Sequence, residues 1–122
     1  MRRIDKPWGY EIVWAETDHY VGKILHLDAG TRLSLQYHRH KEETLLLQVG
    51  RAVVSLGEPD GPLTEVEMGP GEVIHVPPGR RHRLQALTDC DFMEVSTTEL
   101  DDVVRLADDY GRAPGPDPDG GG

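Results

Sequence analysis

His38 and His40 stand two residues apart, and Gln36 precedes His38 by the same step. In an extended strand all three project to one face. Glu43 follows shortly after, and His82 lies well downstream, just past Pro77-Pro78-Gly79. Imidazole and carboxylate together suit a divalent transition ion such as zinc, manganese, nickel or iron. Two side chains on one strand, one from its partner and one from across a barrel can converge on a single ion. An isolated His-x-His pair in a β-protein is more often a solvated strand face. The spacing around this pair is what raises it to a candidate site.

The elements that must position these residues are short strands. The chain has 122 residues, enough for one domain, and 23 of them are Gly or Pro. Leu33 to His38 alternates, with Leu33, Leu35 and Tyr37 on one side and Ser34, Gln36 and His38 on the other. Thr44 to Val49 is an apolar run closed by Gly50, and further short runs recur near every ten residues up to Val95. About ten such strands predict an all-β sandwich or barrel. Only Glu99 to Asp109 reads as helical, with Thr98 and Asp101 as a capping pair and Val103, Leu106 and Ala107 at helical spacing. The domain is expected over residues 1–112, followed by a disordered Gly/Pro/Asp tail over 113–122.

Composition excludes some partners. The net charge is −9, which argues against nucleic acid and anionic membrane surfaces. The segment from Glu99 onward holds seven acids and two arginines, so it contributes −5 and the rest of the chain only −4. A single cysteine, Cys90, cannot build a disulfide framework, and no apolar run is long enough to span a bilayer. The first residues lack the apolar core of a signal peptide, so a cytoplasmic protein is expected.

The spacing is specific. Five residues separate Gly30 from Gln36, four separate His38 from Glu43, and six separate Glu43 from Gly50. Then come Gly71, Pro77, Gly79 and His82, with five, one and two residues between them. This resembles the two-part signature of the cupins, and the resemblance implies a double-stranded β-helix, or jelly-roll barrel. Both registers of the signature keep His38, Glu43 and His82. The spacing favours Gln36 as the remaining ligand, whereas donor strength favours His40, because an amide is the weaker ligand.

Four further segments narrow the resemblance: Lys6-Pro7-Trp8-Gly9-Tyr10, Arg32-Leu33-Ser34-Leu35-Gln36, Pro77 through Leu84, and Asp101 through Arg112. Together they look like the C-terminal cupin of type II mannose-6-phosphate isomerases. In that family the form Gln-x-His-x-His-x-x-Glu is usual. The chain departs from it in Thr44-Leu45, where His-Trp is common, and in Arg80, where Thr is common. The family's cupin usually follows a guanylyltransferase part. This sequence holds no glycine-rich nucleotide loop, so nucleotide transfer is not expected.

The resemblance implies aldose–ketose isomerisation of a phosphorylated sugar through an enediol. Such a reaction needs a Lewis-acidic ion, a base near the C–H bond and cations for the phosphate. Glu94 and Lys23 are the candidate bases, and Arg32, Arg81 and Arg112 the candidate phosphate holders. His75 is expected to be wall or core, His19 and His26 incidental, and Trp8 and Trp14 packing residues. Cys90 is expected to have no role. By analogy with cupins that pair their barrels, a homodimer is expected. The alternatives are another metal-dependent cupin enzyme, such as an iron oxygenase, and a non-catalytic module binding a sugar or small ligand.

Overall fold

Inward and outward side chains alternate along most strands, and this period of two sorts the chain into two facing sheets. The computed structural model describes residues 1–112, so the expected tail over 113–122 lies outside the described residues. Eleven strands are described: β1 (Arg2–Lys6), β2 (Gly9–Glu16), β3 (Val21–Leu27), β4 (Leu35–Tyr37), β5 (Glu43–Val49), β6 (Ala52–Gly57), β7 (Thr64–Met68), β8 (Val73–Val76), β9 (Arg81–Ala86), β10 (Cys90–Ser96) and β11 (Val104–Ala107). One sheet runs β1-β2-β3-β10-β5-β8 and the other β11-β4-β9-β6-β7. The pairings are antiparallel.

The inner faces change character along their length. In β5 the inward residues run Glu43, Leu45, Leu47; in β9, His82, Leu84, Ala86; and in β10, Glu94, Phe92, Cys90. Register sets Phe92 opposite Leu47 and Glu94 opposite Leu45, so the polar residues gather at one end. The other end is a closed apolar core around Trp8, Leu27, Leu47, Met68 and Phe92. That core supplies the burial that holds the sheets together.

Gly30, Gly50, Gly71 and Gly79, the glycines of the spacing signature, all have positive φ, between 82° and 96°. Each is therefore a turn residue that joins strands at a fixed register. Gly50 is the tightest. A Cβ there would collide with the Asp89 carbonyl oxygen.

The segment expected to be helical is not. Residues 99–103 form turns, with the Asp102 N–H bonded to the Glu99 carbonyl, and β11 follows as a strand paired with β4. No helix occurs among the described residues. Val103 and Arg105 are buried while Val104 and Leu106 face outward, which is strand periodicity. The open edge of β4 offers backbone partners that an isolated helix of this length lacks. β1 is also unexpected: its sequence, Arg-Arg-Ile-Asp-Lys, is charged because it is an edge strand.

The outer side of the six-stranded sheet carries one apolar row. Ile12, Ile24, Met93, Leu46 and Val73 are successive register partners across five strands. Trp14, half exposed, lies over Gly22 beside this row, and exposed Val95 extends it.

The turn at Gly50 is testable. Gly50→Ala should lower unfolding stability by at least ~2 kcal/mol through strain and collision, measured by urea denaturation.

Candidate metal centre

β4 ends at Tyr37, and the chain then turns before β5 begins at Glu43. The Asp102 carboxylate makes this turn. It accepts the backbone N–H of Arg39 at 3.1 Å, of His40 at 2.6 Å and of Lys41 at 2.9 Å. Burial pushes the Asp102 carboxyl up, but the three N–H bonds outweigh it and hold the group below its ordinary value. The turn breaks the period of two. His38 faces inward, Arg39 and His40 face solvent, and Lys41 and Glu43 face inward again. His38 and Glu43 are separated by an odd step that a straight strand would send to opposite faces. The turn brings them together.

The imidazoles are oriented by backbone. His38 Nδ1–H donates to the Asp102 carbonyl, and His82 Nδ1–H donates to the Arg80 carbonyl at 3.0 Å. Each ring thereby turns its Nε2 inward. These atoms lie 3.4 Å and 3.2 Å from Glu43 Oε1. The three candidate ligand atoms lie within 4.8 Å of one another. Two imidazole nitrogens and a carboxylate oxygen gathered this closely make a donor set that suits a divalent transition ion. The backbone acceptors behind both rings are the outer support that metal-binding histidines need.

Gln36 joins the group from β4, opposite His82 in register. Its Nε2 lies 3.5 Å from His82 Nε2, and its Oε1 accepts the Ser34 hydroxyl at 2.6 Å. Ser34 can donate or accept, so it supports the amide with either end toward the cluster. His40 is exposed and stands outside the cluster. The ligand register that pairs His38 with His40 is therefore not the one the fold assembles.

Comparisons with known proteins show the family and the fold. The model of the family "Mannose-6-phosphate isomerase C-terminal" matches residues 1–108. The chain belongs to this family. A mannose-1-phosphate guanylyltransferase of Escherichia coli K12 is 37% identical over 117 residues, covering 91% of this chain and 23% of the relative. A xanthan biosynthesis protein, XanB, of Xanthomonas campestris is 32% identical, with 91% and 24% covered. The chain thus spans about a quarter of the length of these relatives. Among solved structures, oxalate decarboxylase of Bacillus subtilis superposes with a TM-score of 0.72 at 23% identity, covering 85% of this chain and 29% of that one. The capsular polysaccharide assembling protein CapF of Staphylococcus aureus gives 0.70 at 20%, covering 83% and 29%. The fold is that of the cupins.

In this family member, Lys41 is the residue that sequence reading missed. It is 1% exposed, and its Nζ lies 3.3 Å from Glu43 Oε2 and 3.3 Å from Glu94 Oε2. Burial pushes the Lys41 ammonium down, but Glu94 and Glu43 outweigh it and keep it above its ordinary value. Burial likewise pushes Glu43 up, and Lys41 with the two imidazoles brings it well below. The signal was present in the sequence, because Lys41 and Glu43 are two residues apart and share a face. Gln36, Lys41, Glu43, His82 and Glu94 line a cavity of about 10 Å³ open to the centre of a water-sized sphere, space for one water.

The remaining expectations fare unevenly. Glu94 does point into the barrel beside the cluster. Lys23, its register partner, is instead paired with buried Glu11 at 3.3 Å and does not line the cavity. Desolvation holds Glu11 above the usual carboxylate value against that lysine. The three phosphate candidates are not brought to the cluster. Arg32 binds Asp109 through Nε at 2.5 Å and Nη2 at 2.9 Å. Arg81 alternates with His82, so it faces the other side of the sheet, where it donates to the Glu58 and Gly61 carbonyls. Arg112 binds Asp108 at 2.9 Å. His75, expected in the wall or core, is exposed and paired with Glu42. It points outward because Val76 takes the inward position. His26 pairs with Asp91 and stacks on Tyr10, and Trp8 is fully buried in the core. Buried Cys90 has its thiol pushed up by desolvation, consistent with no reactive role.

Two outcomes check the centre. His82→Ala should abolish stoichiometric metal uptake and His40→Ala should leave it unchanged, read by elemental analysis of the purified variants. Lys41→Met should destabilise the metal-free protein by about 3–5 kcal/mol, because Glu43 and Glu94 lose their buried counter-charge. The loss should be smaller in the metal-loaded protein, where the ion balances Glu43, as compared by thermal unfolding.

Proposed function

We propose that this cupin isomerises a phosphorylated hexose, interconverting mannose 6-phosphate and fructose 6-phosphate. The observation that carries the reading is a buried carboxylate, Glu94, aimed into the cavity beside His82 and Glu43. The family description supports isomerisation rather than nucleotide transfer. His38, Glu43 and His82, with Gln36, would hold one divalent ion, whose chemistry when bound is to polarise the adjoining sugar oxygens as a Lewis acid.

The chain's own residues supply the rest. Glu94 is the base that removes the proton from C2 of the aldose and returns it to C1 of the enediol, while the O2 proton passes to O1, giving the ketose. Lys41 balances the charge of Glu94 and fixes its position. The hydrophobic side chains Leu25, Leu45 and Leu84 close the inner wall and exclude water from the enediol. In this conformation the cavity admits one water-sized group, so binding a hexose phosphate has to widen it. The same narrowness favours a second reading, a metal-dependent cupin acting on a smaller substrate, such as an oxygenase.

We also propose that two copies pair through the outer apolar row of the six-stranded sheet. The polar groups beside the row, His26 with Asp91 and His75 with Glu42, are already engaged with each other within the chain, which leaves the apolar row between them to meet its copy. A solution mass of one chain by light scattering would exclude this dimer.

The isomerase reading is tested by assaying conversion of mannose 6-phosphate with zinc, manganese, nickel or iron loaded singly. Turnover with at least one ion is expected, and none with all four rejects it. Glu94→Gln should lower kcat by ~10²–10⁴-fold with metal content unchanged.

A further inference from the structure

Neighbouring residues line the two sides of the five-stranded sheet. Arg105 of β11 is the register partner of Gln36, and Gln36 of His82, so all three project inward. One step along each strand, Tyr37 of β4, Arg81 of β9 and Leu106 of β11 project outward. With Pro59 and Gly79 they line a pocket of about 350 Å³. That volume is in the range of small-ligand sites. The sheet itself separates the pocket from the metal ligands.

Arg81 is held in place at this pocket. Gly57 is its register partner on β6, and a Cβ there would stand 2.9 Å from Arg81 Nη2. A strand glycine suits such a close approach. Arg81 donates to the Glu58 carbonyl through Nε at 3.3 Å and Nη2 at 3.0 Å, and through Nη2 to the Gly61 carbonyl. Carbonyls orient the guanidinium without cancelling its charge. The Glu58 carboxylate is engaged by Arg80 at 2.8 Å, and no carboxylate among the described residues pairs with Arg81. Its Nη1 has no acceptor among the described residues, so that edge is open to a ligand. Tyr37 contributes a ring, and its hydroxyl has no partner among the described residues. The guanidinium carbon of exposed Arg39 lies 5.9 Å from that ring, and Arg39 also makes no ion pair among the described residues. Pro59 and half-exposed Leu106 make the walls apolar.

We infer that this outer pocket binds a phosphate monoester carried on a ring, with the phosphate at Arg81 and the ring against Tyr37 and Leu106. Open N–H and O–H donors call for an anion. Two guanidinium charges without ion pairs, Arg81 and Arg39, suit a dianion better than a single carboxylate. The aromatic ring and apolar walls suit a flat body that stacks. A sugar phosphate and a nucleotide share this chemistry. The site is separate from the metal centre and does not depend on the isomerase reading.

The test is calorimetric titration of the full chain with inorganic phosphate, adenosine monophosphate and mannose 6-phosphate. Each titration is repeated in His82→Ala, which removes the metal centre, and binding that persists there belongs to the outer pocket. At least one ester should bind in both proteins, and more tightly than inorganic phosphate. Tighter adenosine monophosphate identifies a nucleotide site, and tighter mannose 6-phosphate a sugar-phosphate site. Arg81→Gln should weaken the preferred ester at least ~tenfold, and Arg81→Lys by a smaller factor. Arg81 also holds the Glu58–Gly61 turn, so Tyr37→Leu serves as the variant that leaves that turn alone. It should weaken the ester at least ~fivefold through loss of the ring and hydroxyl. Failure of both esters to bind His82→Ala overturns the inference. So does binding that Arg81→Lys and Tyr37→Leu leave unchanged. No readout involves turnover, so failure of the isomerase assay and failure of this site are separate results.

Discussion

A carboxylate buried between two imidazoles is unstable unless positive charge stands beside it, and Glu43 is in that position. Lys41 supplies part of the charge from the side of Oε2, leaving Oε1 turned toward His38 and His82. Much of the polar end of the barrel follows from this arrangement. The imidazoles must present Nε2, so their Nδ1 atoms need backbone acceptors at Asp102 and Arg80. Glu94 sits on the other side of Lys41 and shares the same ammonium.

The apolar end makes this concentration of buried charge tolerable. β5 and β9 run from an inward polar residue to two inward apolar or small ones, and β10 runs the opposite way from Cys90 and Phe92 to Glu94 and Ser96, so one half of the barrel is a close-packed core. The C-terminal segment joins the two functions. It adds β11 to the open edge of β4, and Asp102 shapes the turn that sets His38 and Glu43 face to face. The site therefore depends on a segment far from its ligands in sequence.

Much of the fold was legible because its signals are local. Gly30, Gly50, Gly71 and Gly79 mark turns that need positive φ, and such turns fix strand lengths and hence the spacing of His38, Glu43 and His82. The C-terminal helix was misread for an equally physical reason. Val103, Leu106 and Ala107 satisfy a helical period, but pairing with β4 supplies the backbone hydrogen bonds and buries Val103 and Arg105 on an alternating pattern. The arginines were misjudged because nearness along the chain says nothing about which face of a sheet a residue occupies.

The amino-acid pattern alone determined an all-β fold and, through its resemblance to the cupin signature, the ligand candidates His38, Glu43 and His82, while it left Glu94 and Lys23 as equal candidate bases. These rest on turn residues and on the period of two, which act over a few positions. Only the tertiary structure decided between Gln36 and His40, brought Lys41 between two carboxylates, tied Lys23 to Glu11, and put Arg105 in line with Gln36 and His82. Each of these depends on a strand register or a turn closed by a distant residue, and the chemistry of a buried charge is set by neighbours that the fold selects.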